Sequence, residues 1–212
     1  MELPSAAHAL VFVSLGSEGH RRSSTPTSYA VPALALAELA QRGRVDLVDK
    51  RVVARDRSRT GVTLLDDMLE RIAAEPKQHK ADRLLRKLRS GADLHVLREL
   101  EEMGLVRSSK ERWMALVPTT RYPVRDREAL RTATLPLNEQ LLKGRPADER
   151  TVLVGLGLEI ARLEKQVLGA DYKLARQNAH QAAERGTISP VTAAVAKAGL
   201  KLRQSMEAAA AS

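Results

Sequence analysis

Apolar positions in this chain fall into two kinds of run. The first kind is continuous. In residues 28–47 (SYAVPALALAELAQRGRVDL) nearly every position from 30 to 40 is apolar. A helix with no polar face belongs inside a fold, so this stretch predicts a central helix. On this reading Pro32 falls in its first turn, where a missing N–H does little harm. Gly43 supplies the stop, because it takes the left-handed conformation that ends helices. Arg42 and Arg44 flank it, where cations suit the negative end of the helix. Glu38 breaks the apolar pattern. A buried carboxylate requires a partner, and an arginine is the natural one.

The second kind of run is periodic. Residues 5–15 predict a helix capped by Ser5 and closed near Gly16. Residues 45–48 and 51–54 are β-type runs joined by Asp49 and Lys50, which predicts a hairpin. Residues 63–75 predict a helix with Thr63 and Asp66 as a capping box and Leu65, Met68, Leu69 and Ile72 as its apolar stripe. In residues 77–89 (KQHKADRLLRKLR), Leu84, Leu85 and Leu88 face in, while Lys80, Arg83 and Lys87 line the outside. A helix over 93–103 is capped by Asp93 and ended by Gly104, and strands over 105–107 and 113–117 follow. Asp126 caps a helix that runs toward Leu142 and is bent or divided by Pro136. Residues 151–168 read as one helix (Val152, Leu156, Ile160, Leu163, Val167), with Gly155 and Gly157 admitting a close neighbour. Helices over 171–185 and 190–211 complete the chain, with Gly186 and Thr187 between them. The predicted class is mainly α: a single helical domain over residues 1–212 around the central apolar helix, with short β-hairpins. Residues 185–212 form an Ala-rich C-terminal helix that is expected to fray.

Composition supports helices. Aromatics make up only 2% of the 212 residues (Phe12, Tyr29, Trp113, Tyr122, Tyr172), so the core is built from Leu, Val and Ala. Lys and Arg number 35 against 26 Asp and Glu, a net charge of +9. Such a surplus attracts polyanions: nucleic acid, anionic lipid or acidic protein. It is equally the composition of an ordinary Arg-rich soluble protein.

Catalytic chemistry finds little support. There is no cysteine, which excludes disulfides, thiolate metal sites and cysteine nucleophiles. The five histidines are scattered without metal-ligand spacing, so no metal or other cofactor is predicted. There is no Walker lysine loop, no GxGxxG after a strand and no GxSxG. GLGLE at 155–159 lies inside a helical run and reads as packing. Asp66 and Asp67 are explained by their place in a first helical turn. The expectation is that the protein is not an enzyme and has no catalytic residues. No apolar run approaches the roughly 18 residues that span a bilayer. The first twenty positions have no basic segment ahead of their apolar stretch, unlike a signal peptide. A cytoplasmic location is expected, peripheral on the inner face of a membrane.

Three stretches could meet an anion. The loop 16–28 (GSEGHRRSSTPTS) gathers His20, Arg21 and Arg22; it is either a solvated loop or a basic loop that contacts a phosphate. The basic amphipathic segment 77–89 suits an anionic membrane, nucleic acid or plain solvent. Residues 93–118 have the order helix, glycine, strand, turn, strand found in winged-helix wings, which makes a nucleic-acid-binding protein the alternative reading. Glu99, Glu101 and Glu102 argue against that alternative, since a recognition helix should not present acid to phosphates.

The order of these pieces resembles one known family. LAELAQRGRVDL (36–47), TGVTLLDDMLERI (60–72), LEEMGLVRSSKERWMALVP (100–118) and RYPVRD (121–126) resemble the Golgi phosphoprotein 3 family, in its compact bacterial form. The resemblance spans residues 5 to 170, and the compact form implied is expected to lack the N-terminal extension of the eukaryotic members. It implies a helical domain and a peripheral membrane protein that binds phosphatidylinositol 4-phosphate in a basic pocket. It also implies a protein client and self-association into a homo-oligomer. In register, the eukaryotic pocket tryptophan corresponds to Ser23, an early arginine of the central helix to Pro32, and an Arg-x-x-Arg pair to Ser90 and Asp93. Arg86 and Arg89 keep that last spacing one turn earlier. The anionic phospholipid site that the resemblance implies is therefore a looser one, built from Arg21, Arg22, Arg86 and Arg89.

Overall fold

The computed structural model describes residues 2–16, 24–113 and 117–210. Three helices have no solvent face: α1 (Ala6–Leu15), α2 (Ser24–Gln41) and α7 (Glu149–Ile160). Every residue of α1 is buried, as is every residue of α2 from 29 to 40 and of α7 from 151 to 160. Such helices are stable only when neighbours cover them on all sides. The cover for α2 comes from α1, α7, α3 (Thr63–Ala73), α4 (Ala81–Leu88), α5 (Ala92–Glu102) and α10 (Pro190–Ala210). The remaining helices are α6 (Arg127–Pro136), α8 (Glu164–Leu168) and α9 (Tyr172–Glu184). Among the described residues, two small antiparallel sheets accompany them: β1 (Val45–Val48) with β2 (Arg51–Ala54), and β3 (Ser109–Trp113) with β4 (Val117–Arg121).

The central helix begins earlier than its apolar run. Ser24 is already helical, so Pro32 lies in the interior of α2 rather than in its first turn. Its missing N–H interrupts the ladder there, and burial on all sides holds the helix through the gap. The stop at Gly43 is a Schellman motif: Gly43 N–H donates to Ala40 O at 3.0 Å and Arg44 N–H to Leu39 O at 2.9 Å.

Glu38 has the arginine that its burial demanded, and a second role besides. Arg42 Nη2 donates to Glu38 Oε1 at 2.7 Å, and the backbone N–H of Ala6 donates to Oε2 at 3.0 Å. The carboxylate thus sits at the first turn of α1, where helix N–H groups lack partners and negative charge is favoured. Beside it Ser5 caps the same helix by accepting from His8 N–H at 3.3 Å. The buried His8 ring then bridges Ser5 Oγ (2.7 Å) and Glu99 Oε2 of α5 (2.9 Å).

Close approach is what the two glycines of α7 provide. A Cβ on Gly157 would sit 2.6 Å from Leu34 Cδ1, and one on Gly155 would sit 2.8 Å from Leu141 Cδ1. The long periodic segment is nonetheless two helices. Arg162 takes φ 55, with Arg162 N–H donating to Glu159 O and Leu163 N–H to Leu158 O. That is the same Schellman closure, built on an arginine where glycine is usual. Asp126 caps α6 through Ala129 N–H at 2.8 Å, and Pro136 divides it from a π-helical turn, Leu137–Leu142.

Other boundaries move. Thr63 does not cap α3. Asp66 instead reaches back to accept the Thr60 N–H (2.6 Å) and hydroxyl (2.7 Å). Burial raises the Asp66 pKa, but these bonds, Gly61 N–H and the nearby Arg59 outweigh it and hold the group below the usual carboxylate range. Asp93 does not cap α5, whose N-cap is Gly91. The second hairpin starts at Ser109, not 105, because Leu105 and Val106 are buried against the core and Val106 makes a single bridge to Val124. The C-terminal helix α10 extends to Ala210 and packs along α2.

A half-buried charge cluster ties α7 to α9. His180 Nε2 meets Glu159 Oε2 at 2.7 Å, and Arg176 pairs with Glu164. The Glu159 hydrogen bond raises the His180 pKa, against burial and Arg176, with Glu159 and Glu184 charges adding to the rise. Burial raises the Glu159 pKa, yet His180, Arg176 and Arg203 bring it below the ordinary value.

Two predictions follow from these contacts. Replacing Glu38 with Ala strands the Ala6 N–H and should cost about 2–3 kcal/mol in urea unfolding. A loss under half of that would show that α1 needs no carboxylate at its start. The His180–Glu159 pair stabilises fully below the ordinary histidine pKa of 6.5, and that part is lost as pH rises through the raised folded value. The urea midpoint should therefore fall as pH rises from 6.5 through the raised folded value, and the fall should be smaller in His180→Gln. Equal falls in both proteins would rule the pair out as the cause.

Candidate functional site

The cations that sequence reasoning singled out do not share one environment. Arg21 and Arg22 lie outside the described residues. Arg86 and Arg89 stand one turn apart at the end of α4, and both are exposed. The apolar side of α4 (Leu84, Leu85, Leu88) is buried, which turns these arginines outward. Arg89 is held: its Nη1 donates to the Tyr29 hydroxyl at 2.6 Å, and its guanidinium carbon lies 5.0 Å from the Tyr29 ring centroid. Tyr29 belongs to the early part of α2, five residues after the described chain resumes at Ser24. A guanidinium has five N–H donors, so this anchoring orients Arg89 and leaves donors for an anion. Arg86 has only a loose partner, Asp82 Oδ2 at 3.6 Å.

Arg86 also lines a groove of about 660 Å3 between the β1–β2 turn, α4 and α10. Its cations are Lys50, Lys80, Arg86, Lys197 and Lys201, against one carboxylate, Asp82. All five cationic side chains are on exposed residues. Among the described residues, none forms an ion pair or hydrogen bond with the ammonium groups of the four lysines. The floor is apolar, made by Leu47, Ala81, Ala194, Ala198 and Leu202. A second cavity, about 510 Å3 beneath α6, contrasts with it. There Arg150 is already spent on Leu3 O at 2.9 Å and Glu2 at 3.2 Å, and Asp148 caps α7. The α4–α10 groove thus gathers unpaired positive charge that the cavity beneath α6 does not.

Sequence reasoning placed Lys80 on an outer face but missed Lys50, Lys197 and Lys201. The available signal was the one-turn spacing of Lys197 and Lys201 on the last helix. Nothing in sequence places Lys50 beside them, because it comes from a hairpin tip about 150 positions away. That tip is strained. Asp49 (φ 49) and Lys50 (φ 62) both adopt left-handed backbone, as a two-residue type I′ hairpin requires. Glycine or asparagine would take this conformation at lower cost.

Among the described residues, no helix is long and apolar enough to cross a membrane. Nor, among them, could any group of three or more His, Cys, Asp or Glu side chains hold a metal ion. The family model for Golgi phosphoprotein 3 (GPP34) matches residues 7–201, nearly the whole chain. No curated protein matches it.

The turn geometry carries its own test. Lys50→Gly relieves the left-handed lysine and should raise unfolding stability by about 1 kcal/mol. An unchanged urea midpoint would show that Lys50 stores no backbone strain.

Proposed function

Because the chain belongs to the Golgi phosphoprotein 3 (GPP34) family, we propose that it is a non-enzymatic protein that binds anionic phospholipid surfaces from the cytoplasmic side. The carrying observation is the exposed Arg86–Arg89 pair, with Arg89 oriented by Tyr29. Arg21 and Arg22, in the segment before α2, are the two further cations that this reading takes from the sequence. Each Lys or Arg near an anionic membrane contributes about 1 kcal/mol, so four arginines are enough for reversible attachment. The family resemblance points to phosphatidylinositol 4-phosphate as the headgroup, and to a protein client and self-association. The whole of residues 1–212 acts as one domain in this reading. Ser23 stands where the eukaryotic pocket has tryptophan, so attachment here is electrostatic and lacks an inserted aromatic anchor.

The nucleic-acid alternative has less to work with. The outward side of α5 carries Leu94, Arg98 and Glu102, a mixed surface for a phosphate backbone.

Vesicle flotation tests the proposal. The protein should float with vesicles that contain phosphatidylglycerol or phosphatidylinositol 4-phosphate, and not with neutral phosphatidylcholine. Added salt should release it. Charge reversal at Arg21, Arg22, Arg86 and Arg89 together should abolish flotation. Unchanged flotation of that variant would sink the assignment. Retention of a duplex DNA probe at moderate salt, without flotation, would favour the nucleic-acid reading.

A further inference from the structure

The groove between the β1–β2 turn, α4 and α10 holds more than a membrane surface can use. A bilayer presents a plane of headgroups, which would meet the rims and leave a concave floor empty. That floor is long as well as apolar. Ala194, Ala198 and Leu202 follow one another at single-turn intervals on α10, and the lining continues to Ser205. From Ala194 to Ser205 the helix rises roughly 16 Å. Cations accompany this length from separate elements: Lys197 and Lys201 on α10, Lys80 and Arg86 on the α4 side, and Lys50 at the hairpin tip. A single lipid carries its charge at one end, so its partner cations would gather at one end too. Here they are distributed along both walls. Among the described residues no aromatic side chain lines the groove, so the bases of a nucleic-acid strand would find nothing there to stack on.

We propose that this groove receives an acidic amphipathic helical segment of a partner protein. The apolar side of the segment lies on the alanine and leucine floor, and its carboxylates face the lysines. This is the helix-in-groove mode of recognition, with charge setting the choice of partner. The small residues of the floor let a helix backbone come close, while the rim supplies complementary charge. Lys50 fits this role: a left-handed lysine at the turn is costly backbone chemistry, and what it delivers is a cation over the groove. The two readings share Arg86, which lines the groove and belongs to the four-arginine face, so the test rests on Lys197, Lys201 and Ala194, which the membrane reading does not use.

The experiment titrates the full chain against a labelled synthetic peptide of about 16 residues, with leucines every three or four positions and glutamates between them. A scrambled peptide of the same composition and phosphatidylglycerol vesicles run alongside. The amphipathic peptide should bind at least about tenfold tighter than the scrambled one. Lys197→Glu combined with Lys201→Glu should weaken it by about tenfold or more. Ala194→Phe, at an exposed position on the floor, should weaken it similarly without altering any charge. Both variants should keep the wild-type circular dichroism melt and still float with vesicles. Equal binding of the two peptides, or unchanged binding in both variants, would overturn the proposal. So would variants that lose the vesicles and keep the peptide, since the groove would then be a lipid site. Failure of the wild type to float would remove the membrane reading and leave the peptide result standing.

Discussion

Three helices without a polar face impose one constraint on everything around them: they must be covered. At the buried start of α1, where Ser5 and Ala6 lie inside the core, no water can satisfy the free backbone N–H groups. The Glu38 carboxylate resolves this at the buried joint between α1 and α2. It takes the first free N–H of α1 and is itself neutralised by Arg42. One buried charge therefore links the two innermost helices and keeps the start of α1 from being an unsatisfied end. His8, bridging Ser5 and Glu99, extends the same logic to α5. Polar groups inside this core are few, and each of these closes a helix end or joins two helices.

The outer shell inherits its chemistry from that arrangement. Helices such as α4 and α10 spend their apolar faces on covering α2, so their charges are left outside. Where carboxylates are near, the charges neutralise one another, as around Glu159, Glu164, Arg176 and His180. Between α4, α10 and the first hairpin, Asp82 is the one carboxylate among the described residues, against five cations. The net charge of +9 is thus expressed unevenly, and a local excess of unpaired ammonium groups attracts anions more strongly than the same charge spread over a surface.

Much of the fold was legible because local rules decided it. The first hairpin, the closure at Gly43, the cap at Asp126, the division at Pro136 and the arginine partner of Glu38 are all as read from spacing. Elsewhere a tertiary contact overrode the local rule. Pro32 sits inside a helix because neighbours hold that helix from every side. Asp66 found Thr60 rather than Thr63 because the loop before α3 folds back over its end. Leu105 and Val106, good strand residues by type, were drawn into the core, so pairing began later. At Arg162 the periodicity continues while the backbone breaks, since an arginine gives no warning of a left-handed turn. Of the four arginines chosen for an anion site, Arg86 and Arg89 share one helix end, and Tyr29 as the anchor of Arg89 was not foreseen.

Residue types and their spacing alone determined that this chain is mainly helical, that residues 30–40 lie at its centre, and that it carries surplus positive charge. Those properties depend on hydrophobicity and on neighbours within a few positions, which a sequence displays directly. Only the tertiary structure decided where the charge goes unpaired. Lys50, Lys80 and Lys197 meet around one groove because a hairpin and two helices converge on α2. No pattern within any one of those segments contains that meeting, since it arises from how their apolar faces share a single buried helix.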